Sequence, residues 1–553
     1  MRALLLATAL AAALPAGAFA QTAEELAKGA SDTGNVLNYG MGYNLQRFSA
    51  LDQINKQSVK HLVPVWNYSH DDNRSEESQP LVYKGVIYAT TNSATMAIDA
   101  KTGKQIWKTK VEYPPETPRI VCCGIINRGA ALYDGKVFRT TLDANVVALD
   151  AQTGKELWKS HAIDFKPGYS FTVAPLVADG VVITGISGAE YGIRGFIDGW
   201  DPQTGNHLWR TYTVAGPEDP NGKSWPGDTW QHGGGSAWIT GSFDPELHTV
   251  YWGTGNTGSW NAESHKGDNL YTCSVLALDP KTGKIKWHYQ FSPNDPYDYD
   301  SVAEMVLATL TIDGKPTKVV MDANRNGFFY VLDRANGALL AANQYGDKVN
   351  WATGIDMETG RPIESEESKR VHAGEKVEIW PGAMGSKNWS PLSFDPNTGL
   401  AYANTLNFGM NYKETTPVYR AGLSYWGADI SWVWPDGPRG SLKALDPMTG
   451  KAKWSAPSDI PRFSGVLSTA GGVVFTGKLT GELEAFDADT GQKLWQFQTG
   501  SGIEGQPVTW QQDGVQYVAV SSGIGGVYAI FSGDERLAGV PAGGSLWIFA
   551  LAR

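Results

Sequence analysis

Four oxygen-bearing side chains stand in turn-rich motifs: Glu190 in SGAEYGIRG, Asn256 in GTGNTGSWN, and Asp298 with Asp300 in NDPYDYDS. Carboxylate and amide oxygens are the ligands a hard cation takes, and a well-placed aspartate can also act as a general base. Taken singly, each of the four reads as a turn or capping residue. Asp300 lies two positions beyond Asp298, which on a strand puts both side chains on one face; the alternative is a solvated or turn-bonded Asp300. Two adjacent cysteines, Cys122 and Cys123 in VCCGIINRG, are the other unusual feature. They are either two buried thiols or a disulfide that closes an eight-membered ring, with Cα atoms nearer than an ordinary bridge holds them. Such a ring is a flat, polarizable platform.

Residues so far apart in sequence need a scaffold that brings them together, and the chain carries a repeat. AIDAKTGKQIW ends at Trp107, ALDAQTGKELW at Trp158, GWDPQTGNHLW at Trp209, ALDPKTGKIKW at Trp287, ALDPMTGKAKW at Trp454 and AFDADTGQKLW at Trp495. In each, an apolar strand end meets an Asp that bonds its own turn, then a Thr-Gly corner, then an alternating strand closing on Trp. Degenerate copies run from Asp244 to Trp252, Asp333 to Gly337 and Asp395 to Gly399. The spacing leaves room for about four short strands per repeat, as in a propeller blade. Period-two stretches such as VVALD, VVFTG and QYVAV complete an all-β reading. Ala23–Gly29 and Ser49–Val59 are the expected helices. A circular propeller must pair its last sheet with a strand from the other terminus, and Leu62 to Ser69 and Ser545 to Ala552 suit that closure. The aromatic, Pro-rich stretch 347–438 departs from the repeat and is expected to cap one face.

Composition bounds the rest. A formal net charge of -11 argues against nucleic acid or an anionic membrane surface as partner. Sixty-four Gly and 29 Pro suit many tight turns, and 42% hydrophobic residues suffice for a core, so disorder is not indicated. Met1 to Ala20 has an early Arg2, an apolar run and a small-residue exit before Gln21, which reads as a cleaved secretory signal. The expected location is therefore the periplasm, with no membrane span. Export also permits the cysteines to persist as a disulfide. No CxxCH occurs, so electrons would leave to a separate carrier rather than a haem held by this chain. Cys273 reads as a small buried hydrophobe. Oligomeric state is not set by the sequence, and a homodimer stays open.

The Trp hairpins, the cysteine pair followed by Asn127-Arg128-Gly129, and the acidic motifs together resemble the pyrroloquinoline quinone (PQQ) dependent alcohol dehydrogenases of the methanol and ethanol dehydrogenase family, over nearly the whole mature chain. The resemblance implies an eight-bladed propeller, read here as one domain over 21–553, with PQQ and one metal ion, Ca2+ or a lanthanide, near its axis. It implies a Cys122–Cys123 disulfide on one face of PQQ and Trp238 on the other. It implies a metal held by Glu190, Asn256 and Asp298, and Asp300 marks the lanthanide-type relatives. Glu77, Arg128, Thr172, Ser187, Ser236, Arg325 and Asn388 match PQQ-contacting positions, with Glu76 as the alternative to Glu77. Arginines suit a tricarboxylate cofactor. The implied reaction is oxidation of an alcohol to an aldehyde or ketone, with Asp298 as base and Arg325 steadying charge, and a separate cytochrome c as acceptor. Phe463 and Val527 stand where methanol dehydrogenases carry Trp, which suggests room for larger alcohols. Two rival readings are a PQQ sugar or polyol dehydrogenase, and a noncatalytic propeller scaffold of outer-membrane assembly. The scaffold would have no reason to gather Cys122, Cys123, Glu190, Asn256 and Asp298.

Overall fold

In a computed structural model, which describes residues 21–552, the Trp hairpins become the outer halves of four-stranded antiparallel sheets. One sheet runs Ala131–Tyr133, Lys136–Thr141, Asn145–Asp150 and Glu156–His161 in consecutive order. Its inner three strands are almost wholly buried, while the outermost alternates between exposed and half-buried positions. That gradient explains the sequence: VVALD is a continuous apolar run because both its faces are covered, and ELWKSH alternates because one is not. Seven sheets of four strands and one of five, the fifth being Phe48–Ser49, occur among the described residues.

The Asp-Thr-Gly corner forms as its residues dictate. Asp150 Oδ1 accepts the N–H of Gln152 at 3.1 Å and of Thr153 at 2.8 Å, and Gly154 follows at φ +70°. The terminal Trp does not pack on its own corner. Trp107 instead lies on the Gly154 corner of the next sheet and donates its indole N–H to Ala151 O at 3.1 Å. Trp158 does the same to Pro202, Trp209 to Pro280 and Trp454 to Ala488. Trp495 donates to Leu62 O and Trp66 to Ala100 O, so the latches run across the chain termini. Sheets joined in sequence and tied back to the first make a β-propeller. A Cβ on Gly154 would sit 2.5 Å from Trp107 Cε3. Gly154→Ala is therefore expected to cost about 1–3 kcal/mol by overpacking at an unfavourable φ. The check is a lower urea midpoint; an unchanged one would show that the latch yields freely.

Closure follows the expected strands. Leu62–Ser69 pairs antiparallel with Ser545–Leu551, which continues through Val515–Ser522 to Val508–Gln512. Ala23–Ala27 is helical with a capping box from Thr22 to Glu25. The helix expected over Ser49–Val59 does not form. Phe48–Ser49 adds a short parallel strand to another sheet, and Asn55 and Ser58 bond each other's backbone N–H at 3.1 and 2.9 Å. Such local side-chain bonds compete with a helix. Within 347–438, Ser393–Asp395 and Leu400–Leu406 join Gly440–Leu445 and Ala452–Ser458 in a propeller sheet. The remainder includes a hairpin, the helix Glu366–His372, and a three-stranded sheet of Val377–Ile379, Gly409–Glu414 and Ala428–Val433. No helix among the described residues is long and apolar enough to cross a membrane. The secretory signal expected over 1–20 lies outside the described residues.

Candidate active site

Loops leaving the sheets converge on one cleft. Its walls are Glu77, Cys122, Cys123, Arg128, Thr172, Ser187, Glu190, Ser236, Trp238, Asp298, Asp300, Arg325 and Asn388, joined by Trp389, Met384 and Val527. The open space is ≈ 670 Å³, its mouth included. Asn256 lies just behind this wall, where its backbone N–H is 2.8 Å from Asp300 Oδ1. The sequence-predicted residues are thus brought together from many loops. Glu76 is not among them: it turns away to His70, 3.2 Å from its Nδ1.

At one end the polar wall is an interlocked set. Cys122 and Cys123 are disulfide-bonded, with Cα atoms 3.8 Å apart. Arg128 is buried; its Nη2 meets Glu77 Oε2 at 2.8 Å and its Nη1 donates to Thr172 Oγ1 at 2.7 Å. Thr172 in turn is 3.0 Å from Ser187 Oγ. The Arg128 guanidinium lies over the rings of Trp238 and Trp389, 4.6 and 4.9 Å from their centroids. Ser236 Oγ accepts the Ala189 N–H at 2.8 Å, which fixes the turn carrying Glu190. Asn388 Nδ2 donates to Met384 O at 3.0 Å.

The other end is acidic. Asp298 takes a left-handed backbone, φ +66°, imposed by Asp295, whose carboxylate accepts the Tyr297 and Tyr299 N–H groups at 3.2 and 2.8 Å. Arg325 bridges two carboxylates: Nη1 is 3.0 Å from Asp298 Oδ2 and Nη2 is 2.8 Å from Asp300 Oδ2. Asp300 therefore has both oxygens engaged, one by Arg325 and one by the Asn256 N–H. Asp298 Oδ1 and Asn256 Oδ1 are buried with no partner. Burial, and next the charge of Asp300, push Glu190 up to about 7. Burial holds Asp298 well above the usual carboxylate range; Arg325 opposes this, while Asp300 and Glu190 add to it.

A second, apolar space adjoins the cleft. Cys122, Cys123, Glu190, Asp298, Met384 and Val527 line both, and Trp260, Trp426, Ile430, Trp432, Ala383 and Phe531 complete the apolar one. Trp260 and Trp426 stack with ring centroids 5.3 Å apart, and Trp432 donates its indole N–H to Phe531 O at 3.0 Å. Phe463 lines neither space. It is buried in one cluster with Met384, Leu406, Phe408 and Tyr528, behind the lining residues rather than among them. Val527, on the helix Gly526–Phe531, lines both. The aromatic wall was not singled out by sequence reading; its signal was the Trp density of 347–438.

Comparison with known proteins agrees with this geometry. A family profile described as "PQQ: Glucose/ethanol/alcohol dehydrogenase, beta-propeller domain" matches residues 37–343 and 428–518. The quinoprotein alcohol dehydrogenase PedH of Pseudomonas putida is 40% identical, over 98% of this chain and 96% of its own length. The lanthanide-dependent methanol dehydrogenase of Methylacidiphilum fumariolicum is 38% identical over 96% of this chain and 95% of its own. A solved structure of a europium-containing methanol dehydrogenase superposes with a TM-score of 0.91 at 37% identity, covering 96% of this chain and all of that one, 100%. A chain that shares the propeller and a near-full-length similarity with these proteins belongs to the PQQ-dependent quinoprotein alcohol dehydrogenases.

Proposed function

We propose that the chain is a single-domain periplasmic alcohol dehydrogenase that oxidises alcohols larger than methanol, with Asp298 as general base. The observation that carries this reading is the position of Asp298. Its Oδ2 is held by Arg325, its Oδ1 is unpaired, and the residue stands where the polar cleft meets the apolar space. PQQ, when bound, supplies the two-electron acceptor that takes the carbon-bound hydrogen of the alcohol with its electron pair.

The residues present fit such a group and a cation. Glu190, Asp298 and Asp300 face a single guanidinium, that of Arg325, and a di- or trivalent ion would supply the positive charge that favours all three in their ionised form. The unpaired Oδ1 atoms of Asn256 and Asp298 are donors of the kind a hard ion takes. Among the described residues no three His, Cys, Asp or Glu are gathered tightly enough to hold an ion by themselves. Glu190, Asn256 and Asp298, together with the bound cofactor, would make up the donor set. Asp300 would join this set, since each of its oxygens accepts a single N–H, from Arg325 or from Asn256, and keeps a further lone pair. Glu77, Arg128, Thr172, Ser187, Ser236, Trp238 and Asn388, with the disulfide, would hold and cover PQQ.

The chain's own residues then handle the alcohol. The apolar wall of Trp426, Trp432, Ile430 and Phe531 takes its carbon body and leaves the hydroxyl facing Asp298 Oδ1. A lone pair of that carboxylate not given to the ion takes the hydroxyl proton as the carbon-bound hydrogen departs, because a carboxylate is too weak to ionise a free alcohol beforehand. Electrons pass on to a separate carrier, in our reading a basic cytochrome c steered by the net charge of -11. Reconstituting the protein with PQQ and either Ca2+ or La3+, with an artificial electron acceptor, tests the function and identifies the metal. Each buried methylene contributes ~0.8 kcal/mol, so kcat/KM is expected to rise at least about tenfold from methanol to 1-butanol. Trp426→Ala should flatten that slope. A preference for methanol, or activity on sugars alone, would contradict the proposal.

A further inference from the structure

Glu504 lies in GIEGQP, between the strands Lys493–Gln498 and Val508–Gln512, and is 1% exposed. Its Oε1 accepts the Gly525 N–H at 3.0 Å, and its Oε2 is 3.3 Å from the Ser75 hydroxyl. That same hydroxyl is 3.4 Å from Oε1 of Glu77, which is equally buried at 1% exposure. A Cβ on Gly526 would come within 2.2 Å of Glu504 Oε2 and 2.8 Å of Glu77 Oε1, so the two carboxyl groups converge on one point. Ser75 has a single hydrogen to offer them both.

The charges at this point do not balance if both acids ionise. Arg128 is the cation here, and it is spent on Glu77 Oε2 at 2.8 Å. On the neighbouring backbone, Glu76 and His70 pair with each other. A second buried carboxylate with no counterion would cost several kcal/mol, and two acids held this close share a proton rather than both lose one. Burial, reinforced by the charge of Glu77, pushes Glu504 well above the usual range; burial also raises Glu77, which Arg128 opposes.

We propose that Glu504 is a neutral carboxylic acid that gives its hydrogen to Glu77, a one-proton pair that fixes Glu77 against Arg128 and anchors the Gly525–Val527 wall of the cleft. Glu504 is thus a positioning residue. The hydrogen bond itself stands on this geometry; its effect on cofactor binding rests on the reading that Glu77 faces PQQ.

The test compares Glu504→Gln with Glu504→Val. Glutamine keeps a donor for Glu77 and an acceptor for the Gly525 N–H, so the PQQ affinity of the apoprotein, titrated by tryptophan fluorescence, should stay within about threefold of wild type. Valine keeps neither, and leaves Glu77 and Gly525 unsatisfied; affinity should fall about tenfold or more. An infrared difference spectrum of wild-type minus Glu504→Gln apoprotein at neutral pH should show one protonated-carboxyl band. Its absence would overturn the proposal, as would Gln harming affinity as much as Val, or Val harming it not at all. If the band is present but Glu77→Gln leaves PQQ affinity untouched, the carboxyl pair stands and the cofactor reading fails.

Discussion

Asp298→Asn is expected to lower kcat by roughly 10²–10⁴-fold, the usual worth of a positioned general base, while PQQ still binds. Asparagine is isosteric and keeps an oxygen for Arg325 Nη1, now 3.0 Å from Asp298 Oδ2, and the backbone bond from Arg325 to Asp298 O is untouched. What it lacks is the basicity to take a hydroxyl proton. The loss should therefore fall on kcat rather than on PQQ affinity, which involves the opposite end of the cleft, Arg128, Thr172 and Ser187. Single-turnover rates with a C–D labelled alcohol provide the measurement. A rate within about tenfold of wild type would exclude Asp298 as the base, since water or another group would then serve as well.

Arg325→Met carries the second large effect, on stability as well as turnover. Arg325 is 6% exposed and is the guanidinium between Asp298 and Asp300. Removing it strands two buried carboxylates beside Glu190, and breaking one side of a buried ion pair costs on the order of 3–5 kcal/mol. The metal-free protein should show this as a lower urea midpoint. Adding Asp300→Asn should recover part of the loss, because it removes one of the charges left without a partner. Two independent, additive effects would show that the bridge is not what holds this corner together. A bound cation should also offset the loss, so the variant is expected to lean on metal more than wild type does.

The scaffold was legible where local chemistry decides it. Asp150, Thr153 and Gly154 form their corner through the Asp150 side chain and a positive φ, bonds made within four residues. The closing strands were legible because an unpaired edge must find a partner. Site residues were legible because the cysteine pair, the NRNG arginine and the acidic motifs are rare types in fixed order, and the structure gathers them in one cleft. Less was legible where meaning depends on the neighbour. The Trp that closes a hairpin could be placed in sequence but not in space, because its partner is the corner of the following sheet. Phe463 aligned with a pocket position, yet it is buried in a cluster with Leu406, Phe408 and Tyr528 and lines neither space. Glu504, in an ordinary GIEGQP segment, carried no motif at all.

By itself, then, the sequence determined the repeat, its turns, the ring closure and the set of reactive side chains, because hairpin geometry and strand periodicity operate over ten residues or so. Only the tertiary structure decided which oxygens stay free. Asp298 and Asp300 are two residues apart and chemically identical, but each oxygen of Asp300 accepts an N–H, from Arg325 or from the Asn256 backbone, while Asp298 Oδ1 accepts none. Those partners come from loops of the two sheets that this segment joins, 44 and 25 residues away in the chain, and a charge's role in a dry interior is set by the groups that fold against it, not by its neighbours along the chain.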